Sequence, residues 1–146
     1  MAPADPANAS FDDQDPDELR RRLDAAHAGL LRIHKALIDH ERARYERQRG
    51  PAGSAVEFLQ VLIRDPFFAW LRPMSALIVQ IDEFVMSKEP TDPADGRALL
   101  TQARALLTPN ETGDDFARAY YRAIQESPEI AMLHGEWRRG NVPGAW

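Results

Sequence analysis

From Leu19 onward the chain repeats an apolar residue every three or four positions: Leu19, Leu23, Ala26, Leu30, Ile33 and Leu37. That spacing lines one face of an α-helix. The frame around it is equally explicit. Asp15 can cap the first turn, Pro16 sits where its missing N–H costs nothing, and Asp17 and Glu18 oppose the positive helix end. Gly50-Pro51 is a pair that cannot continue the helix. A helix of this length spans roughly 45–50 Å, so the rest of the chain must be arranged around a rod. The stripe fades after Ile38 and leaves Tyr45 among charges. The last two turns, Glu41 to Arg49, are therefore expected to project beyond the core or to pack on another chain.

The remaining segments read as shorter helices with their own start signals. Ser54 and Glu57 form a capping box ahead of Val56, Leu59, Leu62 and Ile63. Asp65-Pro66 opens a short aromatic turn, Phe67-Phe68-Ala69-Trp70, and Pro73 forces a kink or break after it. Met74, Leu77, Ile78, Ile81, Phe84 and Val85 then mark the most apolar helix, expected at the centre of the bundle. Asp92-Pro93 starts a helix through Leu99, Leu100, Ala103, Leu106 and Leu107 that halts at Thr108-Pro109. A further helix carries Phe116, Tyr120, Tyr121 and Ile124, and Ser127-Pro128-Glu129 caps the last, with Ile130, Leu133 and Trp137. No segment alternates with the period of a strand. The expected fold is all-α: an antiparallel four-helix-bundle-like domain over residues 15–139, with one long N-terminal helix and additional short helices. A C-terminal coil is expected over 140–146 and a disordered acidic tail over 1–14.

At 146 residues the chain has the size of one domain. It contains no cysteine, which excludes disulfides, a thiolate nucleophile and cysteine-based metal centres. The net charge of −5 is unevenly distributed: residues 1–18 hold six acids and no base, which leaves the other 128 residues at +1. Only two of the 18 basic residues are lysine, and alanine is abundant, as in a GC-rich bacterial genome. No secretory signal or membrane-spanning run is legible, so a cytoplasmic protein with no membrane partner is expected. The arginines of residues 20–49 point in several directions and alternate with acids, a solvated face rather than one aligned to phosphates, so nucleic acid is not expected either.

Chemistry is hinted at in one place. His27, His34 and Glu41 are spaced by seven residues and fall within the apolar stripe, where an unpaired polar group would cost kilocalories. Successive members lie about 10 Å apart along the axis, so two of them cannot share one metal ion. A site would need residues from other helices, for example Asp82, Glu83 or His134, with Asp82 at the margin of its helix's apolar face. The sequence contains no Glu-x-x-His pair, no nucleophile elbow and no phosphate-cradling loop, and neither metal, cofactor nor catalytic residue is assigned. His27, His34, Glu41 and Asp82 are the candidate ligand-binding residues. The competing reading is structural, with Glu41 paired to an arginine and each histidine bonded to a neighbour. Phe67, Phe68, Trp70 and Arg72 are the candidate interaction surface, because such residues dominate binding hot spots. The competing role for them is a plug closing one end of the bundle.

The run from Asp65-Pro66-Phe67-Phe68-Ala69-Trp70-Leu71-Arg72-Pro73 to Asp82-Glu83, with His34-Lys35-Ala36-Leu37 and Glu41 to Tyr45, resembles a small family of bacterial all-helical proteins. The resemblance covers roughly residues 17–110 and implies a helical fold without an activity, cofactor or site residue. Together these features favour a non-enzymatic protein that works by association, as a coiled-coil-like homodimer or with another protein. The alternative is a small-ligand or metal-binding bundle that uses the polar residues within the first helix's apolar face.

Overall fold

The structure, a computed structural model, describes residues 15–142, and the tail expected over 1–14 lies outside them. The described chain is all-helical. Helix α1 runs Pro16–Arg49, α2 Ala55–Arg64, α3 Arg72–Met86, α4 Pro93–Leu106, α5 Asp115–Glu126 and α6 Pro128–Asn141, with a 3-10 turn at Pro66–Leu71 between α2 and α3. The start signals are used as the sequence implies. Asp15, Ser54, Asp65, Asp92, Asp114 and Ser127 each accept a backbone N–H of the following turn, and Ser54 and Glu57 close the full capping box. Pro73 falls in the first turn of α3, so the break it imposes is the change from 3-10 to α geometry. Helix α6 extends to Asn141, two residues further than the sequence implies.

Helix α1 is the central element, a role the sequence pointed to α3 for. Leu19, Leu23, Ala26, Leu30, Ile33 and Leu37 are all buried, and α1 packs against α3, α4, α6 and the 3-10 turn. The reason is reach: a rod of 34 residues, about nine turns, can offer its stripe to several short partners in succession, whereas α3 leaves Val79 and Met86 exposed. Residue pairings give the directions. His34 meets Ser75 and His27 meets Asp82, so α3 runs antiparallel to α1. Gly29 lies against Trp137 of α6, and Gly96 of α4 lies between Leu19 and Phe84. At these two glycines an added Cβ would sit 2.9 Å from an aromatic ring, so the missing side chain is what lets the helices approach.

The last two turns of α1 do not project bare, because the following segment of the same chain covers one side of them. Tyr45 packs edge-on to Phe67 at 5.4 Å and against Phe68 at 5.5 Å. The Arg42 and Arg44 guanidinium groups lie over the Phe58 and Phe67 rings at 4.4 and 4.8 Å. The Glu46 carboxylate accepts the Ala52 N–H, and Arg49 donates to both oxygens of Asp65. The chain reverses through Gly50 and Gly53, both at φ 91°, a conformation open to glycine.

Candidate functional site

Helix α1 distributes its three inward polar residues to three separate places. Glu41 is completely buried. Its Oε1 accepts from Trp70 Nε1 at 3.0 Å, from Arg122 Nη2 at 3.2 Å and from Arg44 Nη1 at 3.3 Å, while its Oε2 accepts from Arg122 Nη1 at 3.2 Å. Two parallel guanidinium bonds with an indole N–H beside them satisfy a buried carboxylate well. Arg122 also donates to Glu126, whose other neighbour is His40 at 2.9 Å. The hydrogen bond from His40 holds the Glu126 carboxyl below the usual carboxylate range, and Arg122 adds to the effect. This chain of groups joins α1 to α5 and to the aromatic turn.

His34 stands one helical repeat away. Its Nε2 shares a 2.9 Å hydrogen bond with the Ser75 hydroxyl, and burial pushes the imidazole below its ordinary pKa. His34 and Ser75 line a cavity of about 260 Å³ with Leu62, Ile63, Phe68, Leu71 and Arg72. His27, a further repeat towards the N-terminus, lies 3.8 Å from an exposed Asp82 carboxylate. The four residues proposed from sequence as one polar site are thus three pairs on different partners. Among the described residues no group of three acidic or imidazole side chains could hold a metal ion.

The aromatic turn is divided between interior and surface. Phe68 is 1% exposed and belongs to the core, where it meets Phe58 and Tyr45. Trp70 is half-buried, with its ring 5.4 Å from Phe116 and its N–H spent on Glu41. Phe67 is half-buried against Tyr45, and Arg72 is exposed with Nη2 on the Ile63 carbonyl. Trp70 also borders a surface groove of about 570 Å³ with Phe116, Arg118 and Arg122. As a set these four residues do not make a continuous exposed patch, because Phe68 faces inward.

The exposed apolar surface is next door, on α2. Of its ten residues only Phe58 is buried. Val56 is 71% exposed, Leu59 49% and Ile63 57%. At 100° per residue these three fall within a 60° arc, opposite the face that carries Phe58. The helix is held in place without them. Its N-terminus is capped by Ser54 and Glu57, Asp65 closes its far end and starts the next turn, and Arg42 binds the Gly53 carbonyl while its guanidinium covers Phe58. Ten residues are too few for a stable isolated helix, so the molecule holds a short helix in place by packing Phe58, Val61 and Leu62 inward, with Val56, Leu59 and Ile63 turned outward.

Sequence reasoning placed Val56, Leu59, Leu62 and Ile63 on one helix without saying what covers them, since periodicity identifies a face and not its partner. It missed Arg122 as the counter-ion of Glu41. The available signal was the spacing of Arg118, Arg122 and Glu126, which places three charges on one side of α5. It also missed the pairing of Tyr120 with His134, whose side chains share a 2.8 Å hydrogen bond between α5 and α6. Burial pushes the Tyr120 hydroxyl up and the His134 imidazole down, which favours the neutral form of both groups. No helix among the described residues is long and apolar enough to cross a membrane. Compared with family models, curated proteins and solved structures, the chain matches none.

Proposed function

We propose that this protein is a non-enzymatic helical protein that works by association with a protein partner, and that the outward face of α2 is its contact surface. The observation that carries this reading is the stripe of Val56, Leu59 and Ile63, exposed on a helix that its own chain fixes from the other side. Contiguous exposed apolar residues with a polar surround are the usual mark of a contact site. Here the surround is Glu57, Gln60 and Arg64, all exposed. A preformed surface also loses little conformational entropy on binding. The cavity of His34 and Ser75 opens beside the same helix, since Leu62 and Ile63 form part of its wall, so a ridge and a hollow adjoin.

The polar groups of α1 support this reading by being occupied. Glu41 is saturated by Arg122, Arg44 and Trp70, and His34 is engaged with Ser75. Groups committed to structural bonds on separate partners do not converge on a reacting atom.

The test compares the full chain with a Leu59→Asp variant, whose exposed side chain can be replaced without opening the core. The wild-type chain is expected to run larger than a monomer at high concentration, or to retain a protein partner in a pull-down that the variant fails to retain. A chain that stays monomeric to several hundred micromolar and captures the same proteins as Leu59→Asp would overturn the reading.

A further inference from the structure

Beside the α2 ridge lies the hollow of about 260 Å³ that His34 and Ser75 help to line. His34 comes to it from α1, Leu62 and Ile63 from α2, Phe68 and Leu71 from the 3-10 turn, and Arg72 and Ser75 from the start of α3. Phe68 and Leu71 are 1% and 2% exposed and form its floor, while the exposed Ile63 and Arg72 stand at its mouth. Apolar walls with a few convergent polar groups are the usual form of a small-molecule site. The polar groups here are of two kinds. His34 and Ser75 share a hydrogen bond with each other, and burial favours the uncharged imidazole. Arg72 therefore brings the one full charge of the lining.

That charge has donors to spare. Nη2 bonds the Ile63 carbonyl at 3.1 Å, and no acid pairs with Arg72 among the described residues. The other N–H groups of its guanidinium are left for a ligand. Asp65, the nearest acid along the chain, is taken by Arg49 and by the Phe67 N–H. A guanidinium fork matches the two oxygens of a carboxylate. We propose that this hollow binds a small amphipathic carboxylate, with its apolar body against Leu62, Phe68 and Leu71 and its carboxylate on Arg72. At roughly 30 Å³ per heavy atom, the share of a water molecule in the liquid, the volume takes a body of about eight atoms. A ligand of that size in a shallow site binds weakly, with Kd on the order of 0.5 mM. The site stands apart from the association reading, because Val56 and Leu59 take no part in it.

Octanoate is the probe, titrated to about 10 mM into the full chain and followed by proton–nitrogen NMR. Saturable shifts centred on His34, Leu71 and Ser75 are expected. Octan-1-ol carries the body without the charge and acetate the charge without the body, and each should bind at least about tenfold more weakly. Arg72→Gln should weaken octanoate about tenfold and leave octan-1-ol unchanged, with far-ultraviolet circular dichroism confirming that the helices are intact. Leu59→Asp should bind octanoate as the wild-type chain does. Equal binding of octanoate and octan-1-ol, or octanoate binding that Arg72→Gln leaves unchanged, would overturn the carboxylate as ligand. Shifts centred on Val56 and Leu59, or lost in Leu59→Asp, would put the alkyl chain on the exposed ridge and overturn the hollow as its site. Absence of saturable binding would overturn the proposal outright, with the association reading intact.

Discussion

Glu41 is the residue whose environment is most demanding. A carboxylate with no exposed surface costs several kilocalories to bury, and two arginines and an indole offset that cost. Removing Arg122 leaves the charge with Arg44 and Trp70 only, so Arg122→Ala should destabilise the fold by about 3 kcal/mol in urea titration. Replacing the pair together, as Glu41→Met with Arg122→Leu, should cost clearly less, because no orphaned charge remains. His34 behaves differently. Its hydrogen-bond partner Ser75 lies within 3.4 Å of the Leu71 carbonyl, so His34→Leu should hold stability at pH 7 to within about 1 kcal/mol. The same variant has a pH signature. Burial lowers the folded-state pKa of both His34 and His134 below 6.5. The unfolded chain therefore takes up protons first as pH falls below 6.5, and stability declines until the folded-state pKa values are passed. His34→Leu should reduce that slope between pH 6.5 and 5 in denaturation curves, leaving the contribution of His134.

At the scale of elements, glycines separate local preference from packing. Gly135 in α6 faces only the flexible end of Arg139, 3.4 Å from where a Cβ would stand. Gly135→Ala should therefore gain about 0.5–1 kcal/mol from helix propensity and raise the melting temperature by a few degrees. Gly29→Ala offers α1 the same propensity gain, yet its Cβ would press on the buried ring of Trp137 at 2.9 Å. A ring wedged between helices cannot swing aside, and the melting temperature should fall instead. Every helix boundary was legible to within about two residues, because caps, prolines and periodicity act over one turn of chain. The partner of each face was not. The stripe of α2 and that of α3 look alike in sequence, but Leu77 and Ile81 are covered while Val56 and Ile63 are not.

For the molecule as a whole, α1 ties the helices into one cooperative unit. Its buried stripe is shared among α3, α4 and α6, and its one buried charge is neutralised from α5. A chain ending at Leu107 would keep all of α1 but lose Arg122, Tyr120, Ile130 and Trp137. It should show no cooperative thermal transition by near-ultraviolet circular dichroism, although its helix-forming signals are intact. The all-helical class, the long first helix, the capped starts and the polar intrusions at His27, His34 and Glu41 were determined by the sequence alone, since each depends on residues a few positions apart. Only the tertiary structure decided that α1 rather than α3 is central, that its last turns are covered by its own chain, that Glu41 meets Arg122 across 81 positions, and that α2 faces outward. Those outcomes follow from which surfaces bury one another, and that competition is settled by shape and charge between segments far apart in the chain, which no local pattern records.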